Sequence, residues 1–140
     1  MIATRCKGLA VAGVVAAAFI VGCGSSGSSS STKPAVCASV TSLKNSVLDL
    51  KNINVRAGGI SAISDQFSKI EQELKTVKSD AAGQYSTQID DLSNALSGLN
   101  SSLSAAKSSL NGGTLTALAS SAGSVVTAGN NLVTAVSKTC

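Results

Sequence analysis

From Val36 to Val136 the apolar residues of this chain recur at alternating spacings of three and four. That pattern places them on one face of a helix, so it predicts amphipathic helices. The first run is Val36, Val40, Leu43, Val47 and Leu50, with Ile53 near its end. The second is Ile60, Ile63, Phe67, Ile70, Leu74 and Val77. The third runs Tyr85, Ile89, Leu92, Leu96, Leu99, Leu103, Ala106, Leu110, and the fourth Leu115, Leu118, Ala122, Val125, Gly129, Leu132, Val136. Strand-type alternation is nowhere sustained, and no repeat of fixed period appears.

The joins between runs carry helix-ending chemistry. Arg56-Ala57-Gly58-Gly59 sets a cation before glycines, and Asn111-Gly112-Gly113 reads as a second turn. Asp65 with Lys69, and Glu71 with Lys75, are four apart and add i,i+4 pairs to the second helix. Between the second and third runs, Val77, Ala81 and Tyr85 shift the seam by one residue, which a continuous helix can absorb. A break is favoured instead. Lys75 and Lys78 suit a closing turn, Gly83 follows, and Thr87 with Asp90 and Asp91 reads as a cap plus acids in a first turn. The expected fold is therefore all-α, an antiparallel four-helix bundle over residues 35–140. The alternative is a long central helix over 60–110 flanked by two shorter helices.

The amino terminus has a different character. Arg5 and Lys7, with no acid, precede fourteen uncharged residues from Leu9 to Gly22. A basic start and an apolar segment of that length form a secretory signal, short of the ~20 residues that span a bilayer. Ile20-Val21-Gly22-Cys23 then resembles the lipobox of bacterial lipoproteins. The resemblance implies cleavage after Gly22, a diacylglyceryl thioether on Cys23, and location on the outer face of the cell membrane. Residues 1–22 are thus expected to be the signal peptide, and 23–34 the lipidated cysteine and tether. GSSGSSSSTKP, residues 24–34, has the composition of a flexible coil reaching about 18 Å. In its whole layout the chain resembles small uncharacterised envelope lipoproteins of actinobacteria.

With Cys6 in the leader and Cys23 acylated, Cys37 and Cys140 remain. In an exported, oxidising setting an even pair is expected to bond. In an up-down-up-down bundle the start of the first helix and the end of the fourth lie together, so these two cysteines can meet.

Composition narrows function more than it names it. The chain lacks histidine, which removes Ser-His-Asp and Cys-His mechanisms and most zinc sites. Ser104-Ala105-Ala106-Lys107 matches S-x-x-K, but the S-D-N and K-T-G motifs that accompany it in penicillin-recognising enzymes are missing. Asp90 and Asp91 are adjacent, and Glu71 and Glu73 do not share a face. Gly58-Gly59 and Gly112-Gly113 lack a phosphate-loop context. Asn130-Asn131 could meet a ligand but reads more simply as surface. Outside the leader the aromatics are Phe67 and Tyr85, and the charge is nine cations against seven acids. Nucleic acid is not an expected partner, since it calls for a basic stripe or stacking platforms. No catalytic residue, metal or cofactor is expected. The leading expectation is a non-catalytic, membrane-anchored lipoprotein acting as an interaction or scaffold module toward an envelope protein or the wall. The alternative is a carrier or sensor of an apolar ligand such as a lipid, with Gly123 and Gly129 opening space between helices.

Overall fold

In the computed structural model, which describes residues 33–53 and 55–140, four helices follow one another. They are α1 (Ala35–Asn52), α2 (Val55–Asp80), α3 (Ser86–Ser108) and α4 (Gly112–Ser137). Each packs on the next, and α4 closes the ring against α1. This is the up-and-down bundle the apolar seams predict.

The seams become the core nearly residue for residue. Val36, Val40, Leu43, Val47 and Leu50 of α1 meet Ile63, Ile70, Leu74 and Val77 of α2. Ile89, Leu92, Leu96, Leu99, Leu103 and Ala106 of α3 meet Leu118, Val125, Leu132 and Val136 of α4. Burial of a large aliphatic side chain contributes about 1.5–3 kcal/mol, so these seams, rather than helix propensity, hold the fold. Leu110 departs from its expected place. Ser109 turns extended (φ −152°, ψ 102°) and ends α3, leaving Leu110 66% exposed.

The helix joins differ from expectation in instructive ways. A helix across 60–110 is excluded by residues 81–85, where Ala82, Gly83 and Tyr85 take φ of 47°, 89° and 60°. Tyr85, not Thr87, caps α3, and it does so through its backbone: the Ile89 amide donates to the Tyr85 carbonyl at 2.9 Å. Asp90 and Asp91 therefore fall beyond the first turn, which holds no acid. Likewise Gly112-Gly113 opens α4 instead of forming a free turn. The Asn111 side chain accepts from the Thr114 amide at 3.0 Å, and Thr114 Oγ1 accepts from the Asn111 amide at 3.0 Å. That reciprocal box satisfies amides a helix start leaves unpaired, so the two glycines are carried into the helix.

Near the start of α2, Gly59 holds φ 68° and ψ −178°, a region open essentially to glycine alone. The break expected at Arg56–Gly59 thus narrows to one residue, with α1 already ended at Asn52. A Cβ at Gly59 would meet only Ser61 Oγ at 3.9 Å, so the constraint is backbone strain and not space. Gly59→Ala is expected to cost about 1–3 kcal/mol, read as a lowered midpoint in urea unfolding with an unchanged slope. An unchanged midpoint would mean that the turn relaxes freely.

One buried polar group works against the fold. Ser46 is 0% exposed and its hydroxyl has no partner, although its carbonyl accepts from Gln66 Nε2 at 2.7 Å. An unpaired buried hydroxyl costs about 1–3 kcal/mol. Ser46→Ala is therefore expected to stabilise the bundle by about 1 kcal/mol, seen as a raised thermal midpoint. A lowered midpoint would show that the hydroxyl is satisfied after all.

Candidate functional site

Three links fasten one end of the bundle. Cys37, in the first turn of α1, is disulfide-bonded to Cys140, with Cα atoms 5.8 Å apart. Ser39 of α1 donates to the carboxylate of Asp80 at the end of α2, and the Tyr85 hydroxyl bonds that of Thr139. The start of α1, the end of α2, the α2–α3 turn and the end of α4 therefore gather at this disulfide end. Lys33 and Pro34 bring the chain in beside them, and Pro34 accepts the first amide bond of α1, from Cys37 at 2.9 Å. Cys23 and the motif residues Ile20, Val21 and Gly22 lie outside the described residues.

The residues singled out for chemistry are dispersed. Ser104 Oγ donates to its own helix, to Asn100 O at 3.0 Å, while Lys107 Nζ reaches across to Ser64 Oγ at 3.3 Å. The S-x-x-K pair is thus not brought together. Glu71 lies 3.8 Å from Lys75, as expected of the i,i+4 pair, whereas Asp65 and Lys69 form no bridge. Glu73 instead has one carboxylate oxygen buried without a partner. Asp90 borders a groove between α2 and α3 with Phe67, Lys75 and Lys78, and Asp91 borders a shallow one between α3 and α4 with Asn131. Among the described residues no group of three or more His, Cys, Asp or Glu could hold a metal, and no helix is long and apolar enough to cross a membrane.

A largely apolar concavity lies at the far end, between the end of α1, Ile63 of α2 and the first half of α4. It measures about 320 Å³. Leu50, Ile63 and Leu118 form its floor, all of them buried core residues. Ile53 and Val126 flank it, while Ala119, Ala122 and Gly123 leave the α4 wall low. Of the described residues that line it, Lys51 alone is charged. The two glycines expected to open space behave oppositely. Gly123 has nothing within 4 Å of an added Cβ, whereas one at Gly129 would stand 2.9 Å from Val47 Cγ2. Gly129 therefore permits contact between α1 and α4 and opens no cavity. Its partner Gly123 borders the cleft.

Comparison with known proteins gives no matching family model, no similar curated protein and no similar solved structure.

Proposed function

We propose that this protein is a non-catalytic envelope lipoprotein, anchored through acylated Cys23, that displays a rigid helical bundle to a protein or wall partner. The observation that carries the reading is the arrangement of chain ends. The start of α1, at Lys33-Pro34, and the end of α4 are fastened together at one end of the bundle. The helices run from that end, so their far ends stand a helix length away from it. α4 alone, at 26 residues, extends about 39 Å. Two or more acyl chains hold a protein stably on a bilayer. The ladder of core leucines keeps the display surface rigid.

The test is metabolic labelling with an alkyne-bearing fatty acid, in cells producing the native chain and its Cys23→Ala variant. Label on the native protein, lost together with membrane retention in the variant, is the expected result. An unlabelled native protein overturns the anchor. Crosslinking in the same cells then recovers the partner; repeated recovery of the bundle alone would remove the display role.

A second reading, the carriage of an apolar ligand, is supported by a separate observation, the far-end cleft.

A further inference from the structure

We infer that the far-end cleft binds a single aliphatic chain carrying an anionic head group, such as a fatty acid, with the chain along α4 and the head beside Lys51. This rests on the ligand-carrying reading and is independent of the anchor.

Shape comes first. The α4 residues that line the cleft fall between Leu118 and Val126, eight residues or about 12 Å of helix rise. The trough is therefore elongated along one helix, with its other wall made by Leu50 of α1 and Ile53 just beyond it. Small-molecule sites occupy about 300–1,000 Å³. At about 320 Å³ the cleft lies at the low end, suited to one chain. None of the described residues that line it is aromatic, so none stacks on a flat ring.

The low wall is the second observation. Gly123 sits inside α4, where glycine costs about 1 kcal/mol relative to alanine. A Cβ there would meet nothing within 4 Å, so packing within the bundle does not require the glycine. What the missing side chain does is keep the trough open between Ala119 and Val126. Gly129, one face away, has an evident packing reason in Val47; Gly123 has none inside the protein.

Charge decides the head group. Lys51 is exposed on the rim, and none of the described residues lining the cleft carries a carboxylate. An anion is favoured there and an ammonium is not. Lys51 also sits in the last turn of α1, where a cation complements the carbonyl end of the helix. A helix-end role alone would not discriminate between ligands of opposite charge, so head-group preference separates the two.

Residues 33–140 form a compact unit with its own core and disulfide. Residues 24–140 can therefore be exported behind a cleavable leader without the acylated cysteine, and their folding checked by circular dichroism. Dodecanoate and dodecylamine are titrated by calorimetry below their micelle concentrations. Saturable one-to-one binding of dodecanoate, stronger than that of dodecylamine, is expected. Gly123→Leu should fill the trough and weaken binding at least tenfold while the thermal midpoint holds or rises. Lys51→Glu should reverse the preference between the two amphiphiles. Absence of saturable binding, or binding indifferent to Gly123→Leu, overturns the proposal. If Gly123→Leu instead abolishes crosslinking to a protein partner in cells while dodecanoate never binds, the cleft is a protein-docking groove and the proposal also fails. Because the acylated cysteine is absent, failure here leaves the anchor untouched.

Discussion

Reduction of the Cys37–Cys140 bond is expected to lower the thermal midpoint by roughly 20 °C. The bond closes a loop with a sequence separation of 103 residues, and chain-entropy arguments give about 5 kcal/mol for a loop of that size. A domain of this length has only about 5–15 kcal/mol in total, and each kcal/mol moves the midpoint of a 60–100-residue domain by about 4–8 °C. The loss acts mainly on the unfolded chain, which gains freedom, while the folded contacts persist. Helical content at 25 °C should therefore survive reduction, because α1 still buries five aliphatic residues of its seam. The measurement is a pair of circular-dichroism melts with and without reductant, repeated on Cys37→Ser to remove reagent effects. A shift of only a few degrees would mean that the reduced, unfolded chain keeps residual structure that already limits its freedom. Loss of helix at 25 °C would mean that the seams alone are insufficient.

That experiment also bears on display. If the bundle depends this strongly on the bond, the folded form belongs to an oxidising compartment, where disulfides persist. It would be poorly maintained before export.

How much of this was legible in the sequence follows from what each feature depends on. A core position in a helix is set by a side chain and its neighbours three and four residues away. Val36 through Leu50, or Leu92 through Leu103, therefore announce their burial locally. The pairing of Cys37 with Cys140 was expected from the cysteine count, and it favoured four helices, because an even number of antiparallel rods returns the chain to its starting end. The helix joins were less legible. Whether Thr87 or Tyr85 capped α3 turned on the left-handed backbone of Ala82 and Tyr85, residue types that do not advertise it. At Asn111-Gly112-Gly113, the glycines concealed a capping asparagine whose partner, Thr114, lies inside the next helix. The far-end cleft was the least legible feature of all. Its walls come from three helices, and its opening depends on Gly123 facing away from the neighbours that Gly129 touches.

These two glycines supply the second large effect, in opposite directions from one helix. Gly129→Leu is expected to destabilise the bundle by about 3 kcal/mol. Even a Cβ at Gly129 would stand 2.9 Å and 3.1 Å from the two Val47 methyl carbons. Valine is stiff at its first torsion, so those methyls cannot swing away cheaply. The helix pair α1–α4 must instead separate or distort, and overpacking of a filled core costs about 1–3 kcal/mol or more. Gly123→Ala, six residues earlier, meets open space and gains the helix propensity that glycine forfeits, about 1 kcal/mol of stabilisation. A double-mutant cycle identifies the cause. Val47→Ala alone should destabilise by leaving a void, yet combined with Gly129→Leu it should recover part of the loss, since the new side chain occupies the space vacated. Urea unfolding of the four proteins in the cycle gives the coupling directly. Strictly additive losses would place the clash somewhere other than Val47. A favourable coupling of 1 kcal/mol or more would locate the close approach of α1 and α4 at this pair, about three turns of α1 from the disulfide end and still short of the cleft.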